Sequence, residues 1–404
     1  MKEKYNFDEP VVRRGSHCVK WDEAGDPDVI PMWVADMDFA AAPAIRQAVE
    51  ERARHGVFGY ELVPEAYYES VISWFQRRHQ WTIDRSWLLY TTGVVPAISA
   101  IIRSFCGPLP RLDEADQPAA PAEPLGVIIQ TPVYNCFFSS ILNNGCRVVE
   151  NPLHYEDGRY TIDFDDLEAK AALPYARLLL LCNPHNPAGR RWTREELERL
   201  NDICLRHDVV VISDEIHCEL TYGERYVPFA AVSEQCRDNC IVCSSPSKSF
   251  NIAGLQMAHI VCSNPLWRRR IDRAINISEI CDVNPFAPLA CMAAYNESEE
   301  WLDELCAYIH ANYETLLLFC REHLPQLTVV PLEATYLAWI DISRLGMASD
   351  RLTVRLLNDG HVQVSSGTIY GDSAGKNFIR LNLACPRSQL MEALQRIERV
   401  IQSL

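Results

Sequence analysis

Lysine is scarce in this 404-residue chain: Lys2, Lys4, Lys20, Lys170, Lys248 and Lys376 are the only six, and the other cationic side chains are arginine. Positive charge as a whole is short. The formal net charge of −16 at pH 7 argues against a protein that tracks nucleic-acid phosphates, which would present a basic face. Glycine is sparse at 17 residues, against an apolar share of 48%, the balance of a well-packed globular chain. No apolar run approaches membrane-spanning length, and the opening MKEKYNFDEP has no apolar core of signal-peptide type. The motifs G-x-x-x-x-G-K-[ST], H-E-x-x-H and G-x-S-x-G are all missing. DEIHC (214–218) holds ligand types, but nothing elsewhere completes a metal site at a convincing spacing, so no metal is expected. Cysteine, by contrast, is plentiful at 16 residues, scattered and often inside apolar runs. Such residues behave as small buried hydrophobes and fit a reducing cytosol. Cys240 and Cys243 form a C-x-x-C, but Ile241 and Val242 between them make it a strand interior rather than a redox or zinc turn. A cytoplasmic protein that binds neither nucleic acid nor membrane is expected.

Short apolar runs alternate with helical patterns. Residues 86–92, 126–130, 146–150, 176–182, 208–213, 240–244 and 259–263 read as buried strands without in–out alternation, as strands covered on both faces do. Thr193 followed by Glu196 forms a capping box at the start of a helix. Strand, helix, strand repeated in this way predicts an α/β fold with a mainly parallel sheet, whose functional groups gather at the carboxyl ends of the strands. The pattern changes after Asn284. A long helix begins near Ser298, strand-like pieces follow at 335–342 and 377–383 with a helix between them capped by Ser349, and an amphipathic helix starts at Ser388. This reads as a smaller α+β domain. Residues 107–125, rich in Pro, Ala and acid, read as an exposed loop with no catalytic content.

Lys248 sits in a serine-rich turn between two apolar runs. Burial lowers a lysine pKa, and a neutral amine attacks carbonyls to form a Schiff base; the alternative is a lysine whose head snorkels to water. Asp214 ends a buried strand, where a carboxylate needs a partner. A pyridinium nitrogen is one such partner, and a helix cap or salt bridge is the other reading. Gly93, Val94 and Val95 open an apolar helix, whose N–H groups suit a phosphate, although any strand-to-helix turn looks similar. Ser245 and Ser247 either add hydroxyl donors or form an ordinary turn. Tyr134 follows a strand and either stacks on a flat ring or packs in the core. Asn183 and Asn186, each before a proline, either present an amide to a ligand or close the turn. Arg380 shares a strand face with Phe378 and Asn382; it either grips a substrate carboxylate or faces solvent.

These residues lie within MWVADMDF (32–39), HGVFGY (55–60), TTGVVPA, TPVY, NPHNPAGRRWTREEL, ISDEIH, SPSKSFNIAGL and FIRLNLACPR. With those segments in that order, the chain resembles the fold-type I pyridoxal-phosphate enzymes, in particular the MalY/PatB branch of cystathionine β-lyases, also called cysteine-S-conjugate β-lyases or C–S lyases. The resemblance implies a large domain with a mainly parallel seven-stranded sheet, over 46–286. It also implies a small C-terminal domain over 287–404 and an N-terminal segment, 1–45, packed on the small domain.

It implies pyridoxal 5′-phosphate as cofactor and Lys248 as the Schiff-base lysine. Asp214 would pair with the pyridine nitrogen, Tyr134 stack on the ring, and Asn186 contact the ring hydroxyl. Gly93, Val94, Val95, Ser245 and Ser247 would hold the phosphate, and Arg380 the substrate α-carboxylate. His217 stands where many relatives carry a tyrosine near the ring hydroxyl. Tyr60 would reach the phosphate of a neighbouring subunit, which implies a homodimer with shared sites. The chain departs from the wider pattern at Gln256, where many relatives carry a phosphate-neutralising arginine, at Cys136, where proline is frequent, and in the length of the 107–125 loop. The implied reaction is α,β-elimination giving a thiol, pyruvate and ammonia. The rival readings are an aminotransferase and a lyase with an added regulatory, protein-binding role.

Overall fold

The computed structural model describes residues 4–404. Seven strands form its main sheet: β1 (Leu88–Thr91), β2 (Gly126–Ile129), β3 (Arg147–Glu150), β4 (Ala176–Cys182), β5 (Val210–Asp214), β6 (Cys240–Ser244) and β7 (Ala258–Val261). They match the seven apolar runs, with ends differing by one or two residues. The spatial order is β1-β7-β6-β5-β4-β2-β3, and every pairing is parallel except those of β7 with β1 and β6.

The lack of in–out alternation has its cause in two apolar layers. Leu178, Leu180, Ile212, Ile241 and Ile260 point to one, whereas Leu179, Leu181, Val211, Val242 and Val261 point to the other. Helices α1 (Pro43–His55), α2 (Glu65–His79), α3 (Val94–Phe105), α4 (Cys136–Asn143), α5 (Arg194–Arg206) and α6 (Pro265–Ile277) supply much of the cover. Cys240 and Cys243 fall in opposite layers, so the C-x-x-C is a strand interior. The capping box at α5 is complete: Thr193 accepts from the Glu196 N–H at 3.2 Å, and the Glu196 carboxylate accepts from the Thr193 N–H at 2.8 Å.

Beyond α7 (Ala287–Glu297) and α8 (Glu299–His323) lies an antiparallel sheet of β8 (Thr328–Val329), β9 (Leu337–Asp341), β10 (Ser365–Ser366) and β11 (Phe378–Asn382), in the order β8-β9-β11-β10. Helices α9 (Ser349–Gly360) and α10 (Arg387–Gln402) complete this part. Ser349 does not cap α9. It is the first helical residue after Ala348, and its hydroxyl meets Ser366 Oγ at 2.9 Å instead. A serine ahead of an apolar pattern looks like a cap; here it serves a tertiary contact. Ile30–Pro31 pairs in parallel with Val362–Gln363. The 107–125 loop is exposed over most of its length but is pinned to α6, where Arg269 grips Asp116 at 2.6 Å, and Leu109, Pro118 and Leu125 are buried. Among the described residues no helix is long and apolar enough to cross a membrane.

Candidate active site

The carboxyl ends of β1, β2, β4, β5 and β6 converge on a cavity of about 190 Å3 lined by Gly93, Val94, Val95, Tyr134, Asn186, Asp214, His217 and Lys248, with Ala35, Pro96, Cys182 and Ile216. Eight of the twelve residues to which the resemblance gave a role in the site are therefore together. Parallel strands place their following turns at one edge of the sheet, which is why positions spread over 155 residues of sequence meet.

Lys248 lies in the turn after β6 and donates from Nζ to the Ala35 carbonyl at 2.6 Å. Burial lowers its pKa to about 8, and the Arg380 charge acts in the same direction; Asp36 and Asp214 oppose the shift. Such an amine is neutral for a usable fraction of the time near pH 8. Asp214 ends β5 and accepts the Ile216 N–H at 3.1 Å. Burial raises its carboxyl to about 7, although that hydrogen bond and the Lys248 charge pull it back. Among the described residues no cation forms a salt bridge with it. His217 is held neutral, with its pKa lowered to about 3 by burial and by the Lys248 and Arg380 charges. Its Nδ1 has no partner among the described residues.

At the opposite wall α3 begins after Gly93 with no side-chain cap. The first N–H groups of a helix have no intrahelical acceptor, and Pro96 within that turn forfeits nothing, having no N–H to leave unpaired. This end of α3 offers partial positive charge to an anion.

Ser245 and Ser247 do not line the cavity. Ser245 Oγ donates to the Met257 carbonyl at 2.6 Å and accepts the Ser247 N–H at 3.1 Å, which organises the turn itself. Asn183 points away, its amide donating to Glu215 Oε1 at 3.3 Å and the Val227 carbonyl at 3.1 Å. Gln256 is exposed. Tyr60 is 97% exposed, beside exposed Val57, Phe58 and Leu62, and does not line this chain's cavity.

Arg380 lies on β11, buried rather than solvent-facing. It donates to Asn186 Oδ1 at 3.2 Å and to the Trp33 carbonyl at 2.8 Å, and its guanidinium sits 4.8 Å over the Tyr370 ring. Asn186 thus touches both the cavity and Arg380. No carboxylate among the described residues pairs with this arginine. A buried guanidinium without a counter-anion suits a carboxylate ligand.

The sequence reading missed what holds these groups. Residues 33–39 form a strap whose carbonyls are taken one after another by side chains. Trp33 accepts from Arg380, Ala35 from Lys248 and from the Tyr336 hydroxyl at 2.9 Å, and Val34 and Asp36 both from Asn382 at 2.6 Å. Asn251 brackets Met37, accepting its N–H and donating to its carbonyl at 3.0 Å. Beneath the strap Lys20, nearly inaccessible, pairs with Asp38 at 2.8 Å, and Arg13 joins Asp36 and Asp38. Strand alternation placed Asn382 on the same face as Arg380; nothing in the sequence marked Tyr336 or Asn251.

Residues 27–397 match the aminotransferase class I and II family. The chain belongs to that family. Among its relatives, cystathionine beta-lyase PatB of Bacillus subtilis (strain 168) is 40% identical over 97% of this chain and 99% of its own. The structure of cystalysin from Treponema denticola, which contains a pyridoxal 5′-phosphate cofactor, superposes with a TM-score of 0.92 at 33% identity, covering 99% of both chains. The pyridoxal-phosphate-bound C–S lyase from Staphylococcus hominis gives a TM-score of 0.87 at 31% identity, over 98% of this chain and 99% of its own. The family's fold-type I architecture agrees with the mainly parallel seven-stranded sheet and the smaller α+β portion.

Proposed function

We infer that this chain is a pyridoxal-phosphate-dependent carbon–sulfur lyase, acting on cystathionine or related cysteine S-conjugates by α,β-elimination to give a thiol, pyruvate and ammonia. The observation that carries this reading is the pair of buried, unmatched groups near Lys248: Asp214, which lines the cavity, and Arg380, which is bonded to Asn186 of its wall. The first suits a cationic ring nitrogen, the second an amino-acid carboxylate. The orphaned Nδ1 of His217 and the uncapped start of α3 fit the remaining polar groups of the same cofactor. The choice of lyase over transaminase rests on the relatives, of which PatB is a cystathionine beta-lyase.

In this reading Lys248 carries the cofactor, and Asp214 holds its ring nitrogen. Tyr134 would stack on the ring, and Asn186 and His217 would meet its hydroxyl. Gly93, Val94 and Val95 hold the phosphate, with Ser245 and Ser247 shaping the neighbouring turn. Pyridoxal phosphate, when bound, supplies an electrophilic carbon for the substrate amine and an electron sink for charge at Cα. Arg380 fixes the substrate α-carboxylate. The neutral Lys248 amine would take the Cα proton. Its hydrogen bond to Ala35 limits where Nζ can sit.

Incubation of the purified, cofactor-loaded protein with L-cystathionine and no keto acid tests the activity. Pyruvate and a free thiol in equal amounts are expected; strict dependence on an added keto acid would overturn the reading in favour of transamination. Arg380→Ala removes a charge-assisted contact of about 3 kcal/mol, so KM for the amino acid rises roughly 100-fold while the cofactor's visible absorption persists. An unchanged KM would show that the carboxylate binds elsewhere.

The same reading makes the protein a cytoplasmic homodimer in which Tyr60 completes the partner's phosphate site; its exposure beside Val57, Phe58 and Leu62 supports a covered face. Mixing inactive Lys248→Ala and Tyr60→Ala chains under exchange should restore about one quarter of wild-type activity, because half the dimers then hold one intact site. No restoration would refute shared sites. It also divides the chain at 1–45, 46–286 and 287–404. Pairing of Ile30–Pro31 with Val362–Gln363 supports packing of the first segment on the last, while residues 1–3 of that segment lie outside the described residues.

A further inference from the structure

The sulfurs of Cys106 and Cys146 approach to 3.2 Å. No other two cysteines among the described residues share a hydrogen-bonding contact. Cys106 closes α3 and Cys146 immediately precedes β3, so the pair ties a helix end to an edge strand across 40 residues of sequence. Cys106 is half-buried, which leaves it open to a small reagent, while Cys146 is buried beside it. Cys106 Sγ also donates to the Ile102 carbonyl at 3.0 Å. The contact between the two thiols pushes Cys146 below its ordinary pKa and Cys106 above it. This contrasts with Cys182, Cys218, Cys240 and Cys243, each buried without a hydrogen-bonded sulfur partner and pushed well up by burial. The thiolate is the reactive form of cysteine, and among the described residues this is the thiol pair in which sulfur–sulfur contact and a lowered pKa on one member coincide.

We propose that Cys106 and Cys146 are a site of reversible disulfide formation, with hydrogen peroxide as the oxidant. One sulfur attacks the peroxide; an S–O bond forms, the O–O bond breaks and water leaves. The second sulfur attacks the first; the S–S bond forms, the S–O bond breaks and the oxygen departs as a second water. Two electrons pass from the thiols to the peroxide, and the two thiol protons end in the waters. Because the sulfurs already touch, the second step outruns further oxidation of the first sulfur. In a reducing cytosol a dithiol reverses the bond by exchange.

The cross-link closes a ring containing the 107–125 loop, β2, Tyr134 and α4. Its main effect falls on stability, because closing a ring restricts the unfolded chain. The first turn of α3 lies about 18 Å from Cys106 along the helix, so turnover is expected to stay unchanged.

The test uses holoprotein that has been reduced and freed of reductant. It is treated with hydrogen peroxide, alkylated, digested and analysed by mass spectrometry. A peptide pair joined through Cys106 and Cys146, two hydrogens lighter than the reduced pair and lost on treatment with dithiothreitol, is expected. The thermal midpoint should rise by about 2–5 °C in the wild type and stay fixed in Cys106→Ser and Cys146→Ser. Oxidation that stops at sulfur acids on Cys106, or that falls on exposed Cys281 without the joined pair, would overturn the proposal. So would an equal midpoint rise in either serine variant. Should a variant fail to fold, the wild-type digest decides alone. None of these readouts depends on the enzymatic activity.

Discussion

Lys248→Ala lowers turnover by roughly 10^4-fold and removes the visible absorption that a lysine-bound pyridoxal cofactor gives. Both losses have one cause: this amine is the sole lysine lining the cavity, and its pKa of about 8 provides neutral nitrogen near physiological pH. Arginine cannot replace it, because a guanidinium does not deprotonate in proteins. Loss of activity alone would not separate chemistry from collapse. The Ala35 carbonyl that Lys248 engages keeps its Tyr336 partner, so the variant is expected to fold with an unchanged far-UV circular dichroism spectrum. Spectra before and after borohydride, taken with pyruvate release, settle the matter. A borohydride-sensitive visible band that survives in the variant after dialysis would place the cofactor on a different amine.

Asp214→Ala is the second large effect. A carboxylate facing a cationic ring nitrogen at about 4 Å contributes on the order of 4 kcal/mol in a site of intermediate polarity, so kcat falls by roughly 10^3-fold. Asp214→Glu keeps the charge but moves it and should recover part of the loss. The carboxyl alone rises to about 7 because burial has nothing cationic in contact to offset it. A cationic partner reverses that balance and holds the carboxylate ionised. The spectrum offers a check separate from rate: in Asp214→Ala the bound cofactor's absorption should shift, and its pH dependence should change. A variant with wild-type kcat and spectrum would remove Asp214 from the site.

Much of this was legible in the sequence, for a definite reason. Strands covered on both faces are apolar over most of their length, so β1 to β7 stood out as short apolar runs, Lys248 stood out because charge is otherwise absent around it, and Asp214 because it ends such a run. Contacts between distant segments were not legible. Asn382 on Val34 and Asp36, Asn251 on Met37 and Tyr336 on Ala35 span more than 200 residues each, and an asparagine carries no mark of the carbonyl it will meet. Ser349 resembled a cap, and Ser245 a free hydroxyl; in both, tertiary hydrogen bonds decided otherwise. The C-x-x-C at 240–243 reads as a strand interior and is one; the sulfurs that meet belong to Cys106 and Cys146, which no short motif connects.

The strap bears on how the protein is made. Residues 33–39 leave the ribosome long before Asn382, which holds two of their carbonyls. A nascent chain therefore cannot seat the strap against Lys248 and Arg380 until Asn382 has emerged. Stalled or C-terminally clipped products should be catalytically silent even where the large sheet has already formed.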